Sequence, residues 1–200
     1  MSIDNRQLVI QKIRAAMQSL YELEAIKDNI DREHIHNTPD RVAKSMLEML
    51  EGCWQDPREV LRTVFKNGIY DEIVYVNSIS FVSVCAHHGL PFMGKAHFGY
   101  LPGKCIVGIS KIPRLVQVYA KRPQVQEKLT CDIVDTFNEV IQPKGCGLVM
   151  EAYHLCMSIR GVKNETAYTR TTALRGSFRE GSSKEEFLQG IKQVTPHIWP

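Results

Sequence analysis

Several things are missing from this 200-residue chain, and each absence removes a class of function. No apolar run approaches the roughly 18 residues that cross a bilayer, so no membrane span is expected. The opening Met1-Ser2-Ile3-Asp4-Asn5-Arg6 lacks a basic segment followed by an apolar one. No secretory signal is expected, and the chain reads as cytoplasmic. Neither a Walker A loop nor a Gly-x-Gly-x-x-Gly turn occurs, so a bound nucleotide would be held by side chains rather than a glycine cradle. A net charge of +3 is too mild to point to nucleic acid. Internal repeats, low-complexity tracts and long linkers are also missing.

What is present describes an ordinary globular protein. Hydrophobic residues make up 44% and charged residues 24%. Two hundred residues bury a real core without a disulfide scaffold. The six cysteines are therefore read as reduced rather than paired.

The first fifty-odd residues read as helical. Ile10, Ile13, Met17 and Leu20 recur at helical spacing, with Leu23 continuing the stripe. Thr38-Pro39-Asp40 reads as an N-cap, a proline at the first helical position and an acid in the first turn, with Gly52 as the stop. Asp56-Pro57-Arg58-Glu59 repeats the start signal. From Ile73 the texture turns β-branched and aromatic. Ile73 to Val76 and Ser78 to Val84 read as two strands. Ala96, Phe98 and Tyr100 alternate with His97 and Gly99, and Cys105 to Ile109 reads as the return strand of a hairpin. Pro113 and Pro123 each mark a possible helix start. Val125, Leu129, Ile133, Phe137 and Val140 or Ile141 form the clearest amphipathic helix. Gly147 to Arg160 and Thr166 to Phe178 read as strands, and Ser183 opens a final helix. Strands and helices come in runs, which predicts an α+β fold with an antiparallel sheet.

Two segments carry most of the chemistry: Cys85-Ala86-His87-His88 and His154-Leu155-Cys156. Neutral imidazole and thiolate are the ligands zinc prefers, and three protein ligands leave a fourth position open for water, as in catalytic sites. On an extended strand, His154 and Cys156 would share a face. Cys85 and His88 span a turn that could fold both toward one ion, and spacing equally allows Cys85 with His87. A cysteine by itself is more often a small buried apolar residue than a ligand. Cys53, Cys105, Cys131, Cys146 and His97 keep that bland reading. Zinc can take the pKa of water from about 15.7 to about 7. At about 1.36 kcal/mol per unit, that removes roughly 12 kcal/mol from forming hydroxide.

Lys111, Arg114, Lys121, Arg122 and Arg160 suit phosphate groups, or form a solvated surface. Glu127 opens the strong helix. There it either complements the helix dipole or accepts two hydrogen bonds from a purine edge.

Together, Cys85-Ala86-His87-His88, Gly108-Ile109-Ser110-Lys111, Arg122-Pro123-Gln124-Val125-Gln126-Glu127, His154-Leu155-Cys156 and Arg160-Gly161 resemble the type I GTP cyclohydrolases, over about Thr38 to Glu180. The resemblance implies a tunnelling fold, in which sheets from several subunits form a barrel with helices outside. It implies an N-terminal helical segment, 1–65, ahead of a catalytic domain, 66–200. It makes Cys85, His88 and Cys156 ligands of zinc, which activates water for attack at C8 of the guanine ring. His154 and His87 become acid/base groups, and Ser110 a residue near the ribose. Glu127 with Gln126 would anchor the base, and Lys111, Arg114 and Arg160 the triphosphate. The product would be 7,8-dihydroneopterin triphosphate plus formate, the start of pterin or folate biosynthesis, made by a homodecamer with shared active sites. The other reading is a zinc- and nucleotide-binding member of this fold with altered or no turnover. One position departs from the family pattern, Ala86, where glutamate is usual.

Overall fold

The computed structural model describes residues 3–66 and 70–192. Met1, Ser2, 67–69 and 193–200 lie outside the described residues. A helical layer comes first: α1 (Ile3–Tyr21), α2 (Glu24–Lys27), α3 (Arg32–Ile35), α4 (Thr38–Met49) and α5 (Pro57–Val60). α1 packs on α4, joined by an Arg14–Asp40 ion pair. Leu23 falls beyond α1, and Leu20 and Leu23 remain exposed. In α4, Asn37 takes the cap position and Thr38 is already helical, one residue earlier than the sequence suggested. Asp56 does cap α5, its carboxylate accepting the Arg58 N–H at 2.9 Å. Gly52 does not stop α4. It sits in a following 3-10 turn against the backbone of Val118, whose oxygen would lie 2.0 Å from any Cβ.

After β1 (Val64–Phe65) come β2 (Val74–Cys85), β3 (Pro91–Leu101), β4 (Ile106–Val107), α6 (Lys111–Ala120), β5 (Pro123–Gln124), α7 (Gln126–Ile141), β6 (Gly145–His154), α8 (Leu155–Ser158), β7 (Thr169–Gly176) and α9 (Gly181–Lys192). The main sheet runs β5-β2-β3-β6-β7, antiparallel except for the short β5–β2 pair. The fold is α+β, as expected.

Four local expectations change. The two strands expected between Ile73 and Val84 are one, β2, interrupted by a register shift between Val76 and Ile79, with Ser78 at φ 58°. The expected hairpin after β3 does not form. β3 already has β2 on one edge and β6 on the other, so β4 pairs with β1 instead. Pro123 opens a short strand rather than a helix, because residues 123–124 pair with the end of β2. The strand expected to reach Arg160 stops at His154, and the next residues wind into α8.

Alternation along the strands builds the core. Phe92, Ala96, Phe98, Tyr100, Leu148, Met150 and Ala152 are fully or nearly fully buried in one cluster with Ile112, Leu115, Leu129, Ile133 and Phe137 of α6 and α7. Phe137 meets Phe98 and Tyr100 edge-on, with centroids 4.7 and 5.1 Å away. Val149, of opposite pleat phase to Leu148 and Met150, joins a second cluster with Phe178, Phe187 and Ile191. α9 therefore closes one end of the other sheet face. Among the described residues, β7 has a neighbour on one side only.

Candidate active site

Six chain segments meet at one cleft: the close of β2, β5, the start of α7, the close of β6, α8 and the start of β7. Its lining includes Cys85, His87, His88, Gln126, Glu127, His154 and Cys156, around a volume of about 220 Å³. β2 stops at Cys85 and reverses through a turn in which Gly89 adopts φ +67°. Cys85 accepts the His88 N–H at its carbonyl (3.3 Å), and Ala86 donates its N–H to Gln124 O at 3.0 Å. These bonds fold His88 back over Cys85, whose Sγ lies 3.7 Å from His88 Nδ1.

Cys156 arrives differently from the way the pleat predicted. It sits on α8, and the helical turn, not strand alternation, carries its Sγ to 3.9 Å from that of Cys85. The donor atoms of Cys85, His88 and Cys156 all lie within 4.8 Å of one another, a group able to hold a metal ion. Burial, then the neighbouring Cys85 thiol, hold Cys156 above an ordinary thiol pKa, with Arg160 pulling the other way. A cation between the sulfurs would reverse this and favour thiolates. His87 stays outside the trio, exposed, its ring edge-on to His88 at 6.1 Å.

His154 is half-buried and stacked flat on Phe92, centroids 4.6 Å apart and planes 4° apart. Burial holds its pKa below the ordinary 6.5, opposed by the Glu127 carboxylate. Its Nε2 lies 2.7 Å from Gln126 Oε1. Glu127, the next residue along α7, is exposed in the cleft, whereas Gln126 is 2% exposed. Gln126 reaches inward instead of toward the opening. Its amide nitrogen donates to Met150 O, Thr169 O and Thr171 Oγ1.

The structure does not bring every expected residue here. Lys111 and Arg114 line a second depression of about 420 Å³ with Gln55, Asp56, Glu59 and Val60. Ser110 precedes them, exposed, at the cap of α6 without a side-chain bond. Arg160, also exposed, follows α8. Ala86 is exposed and outside the cleft lining. Of the residues given a bland reading, Cys53 is exposed and Cys105 and Cys131 are partly buried, and none of the three lines the cleft. Cys146 is fully buried with its thiol pushed up to about 12 by burial, and His97 is buried with Nδ1 accepting the Ser78 N–H.

A family model described as GTP cyclohydrolase I matches residues 13–192. The chain belongs to the GTP cyclohydrolase I family. It is 49% identical over 168 residues to the GTP cyclohydrolase 1 of Wolinella succinogenes, covering 84% of this chain and 90% of that one. It is 46% identical over 183 residues to that of Thermoanaerobacter pseudethanolicus, covering 90% and 96%. Against the GTP cyclohydrolase 1 of Chlorobaculum tepidum, identity is 44% over 191 residues, covering 95% and 84%. Among solved structures, the apo form of the archaeosine synthase QueF-Like aligns at a TM-score of 0.46 and 16% identity, over 55% of this chain and 98% of that one.

Proposed function

We propose that this GTP cyclohydrolase I family member converts GTP and water to 7,8-dihydroneopterin triphosphate and formate. The observation that carries this reading is the Cys85, His88, Cys156 trio lying beside two further imidazoles in one cleft. Tetrahedral zinc, with bonds of about 2.3 Å to sulfur and about 2.0 Å to nitrogen, sets sulfur about 3.8 Å from sulfur and about 3.5 Å from nitrogen. The spacings of 3.9 and 3.7 Å fit that ion. Bound there, zinc supplies Lewis-acid activation of water for attack at C8.

The chain's own groups do the rest. Glu127 accepts the two N–H bonds of the guanine edge and orients C8 toward the trio. His154 exchanges a proton with the imidazole nitrogen of the base as that ring opens. His87, on the exposed side, serves the ribose as it rearranges. Two waters enter as C8 leaves as formate, and one returns when the ring recloses. Ser110 lies near the ribose, and Lys111, Arg114 and Arg160 hold the triphosphate, with arginine suited to two parallel bonds.

A cleft of 220 Å³ is smaller than the roughly 300–1,000 Å³ of most ligand sites. Ser110, Lys111 and Arg114 lie around a different depression. Both facts favour sites completed between copies of the chain in a homodecamer. The one-sided β7 is an edge that such assembly would cover. Within this reading, residues 1–65 are an N-terminal segment, helical from α1 to α5 and ending in β1, ahead of the catalytic domain, 66–200. Free thiols at all six cysteines suit the reducing cytoplasm. No helix among the described residues is long and apolar enough to cross a membrane.

The test is formate release from GTP, with and without a chelator and with zinc restored. Zinc-loaded protein that releases no formate overturns the reading.

A further inference from the structure

Gln126 was expected beside Glu127 at the base, but its amide is already engaged. A carboxamide can be placed either way round, and here its neighbours decide which. Met150 O and Thr169 O lie 3.2 and 3.0 Å from one amide atom. Backbone carbonyls only accept, so that atom is the donating nitrogen.

Thr171 adds an independent constraint. The Thr130 hydroxyl donates to Gln126 O at 2.8 Å, which uses its one proton. Thr130 Oγ1 therefore accepts from Thr171, 2.6 Å away. With its own proton given, Thr171 Oγ1 accepts from Gln126 Nε2 at 3.1 Å. Every bond in the relay has one direction, and Gln126 Oε1 is left facing His154. An amide oxygen cannot donate, so His154 Nε2 carries a proton.

We propose that Gln126 is a positioning residue that holds His154 as the Nε2–H tautomer, making Nδ1 the nitrogen that takes and returns the proton. Among the described residues no group bonds to Nδ1. Phe92 fixes the plane of the ring and Gln126 fixes its rotation within that plane. The relay spans the start of α7, β6 and β7, so His154 is registered to the sheet as well as to its own strand. The inference rests on the proposed role of His154 as an acid/base group. A tautomer set by the partner of the other ring nitrogen is a general device of histidine chemistry.

The test uses full-length, zinc-loaded protein labelled with 15N-histidine, with His154→Asn to assign the signal. Wild-type protein is expected to show neutral His154 protonated at Nε2. Gln126→Met should give a mixture of tautomers at unchanged zinc content. Its kcat should fall at least about tenfold, part of the roughly 10²–10⁴-fold that positioned proton transfer contributes. Its KM for GTP should stay within about twofold, because the amide nitrogen and oxygen are both taken up by protein partners. Thr171→Val, which removes one member of the relay, should shift the tautomer in the same direction and keeps the question open to measurement if Gln126→Met fails to fold. Three results overturn the proposal: an Nδ1–H signal in wild type, an unchanged tautomer in both variants, or a raised KM with kcat intact. The tautomer is read without turnover, so a failure of formate release and a failure of this assignment are separable.

Discussion

Phe92 and His154 are cross-strand partners whose rings lie parallel, 4° apart in plane and 4.6 Å between centroids. The imidazole therefore takes its orientation from the neighbouring strand. Phe92→Leu should keep the zinc and lower kcat between about three- and thirtyfold, short of the roughly 10²-fold that a 1 Å misplacement can cost. His154→Ala and His87→Ala should also keep about one zinc per chain while formate release disappears. Cys156→Ala, by contrast, should lose the metal. Elemental analysis beside a formate assay separates the two groups, and a His154→Ala protein without zinc would put that residue among the ligands.

Glu127 is exposed in the cleft and makes no ion pair among the described residues. Hydrogen bonds to a charged group contribute about 1.5–3 kcal/mol. Loss of even one of the two bonds proposed for Glu127 should raise KM for GTP at least about tenfold in Glu127→Ala, at unchanged zinc content. Steady-state kinetics check this, and an unmoved KM would leave the carboxylate with only its helix-dipole role.

Lys111 and Arg114 lie around a different depression from the metal trio. If sites are completed between copies, Arg114→Ala and Cys156→Ala proteins are each inactive. Mixed after dissociation and reassembly, they should regain activity, because some interfaces pair two intact halves. No recovery in verified hybrids would place each whole site within one chain.

His97 is 1% exposed, and its pKa is held below the ordinary 6.5 by burial, then by Arg170 and Lys95. The folded protein resists its protonation and the unfolded chain does not. The stability linked to it is thus complete above about pH 6.5 and drains away as pH falls toward the folded value, at up to about 1.4 kcal/mol per pH unit. Thermal midpoints at pH 7.5 and 5.5 should diverge less in His97→Gln than in wild type. Equal divergence would assign the acid sensitivity to other groups.

Much of this arrangement can be read from the chain alone. α7 is evident because Leu129, Ile133 and Phe137 all point one way and all end fully buried. Cys85, His87, His88, His154 and Cys156 stand out because thiols and imidazoles cluster in two short segments, whereas in the sequence the choice of His88 over His87 as a ligand comes only from the family resemblance. Strand alternation does not account for Cys156, since β6 ends at His154 and Leu155 to Ser158 wind as a helix. Pairing of β4 was misread because sequence shows a return strand but not that both edges of β3 are taken. The inward role of Gln126 had no local signal. Its side-chain partners lie 24, 28, 43 and 45 positions away, and an uncharged side chain at a helix start attracts no notice.

The separation of the metal-binding donors also has a consequence during biosynthesis. Cys85 and His88 leave the ribosome first, and Cys156 lies 71 positions behind Cys85. At about 5–20 residues per second, the third donor follows roughly 4–14 s later. Until β6 docks on β3, the nascent chain offers a two-donor turn with weak grip on any ion. Acquisition of a metal by this trio would thereby be tied to completion of the sheet, and a chain truncated before α8 would lack the third donor.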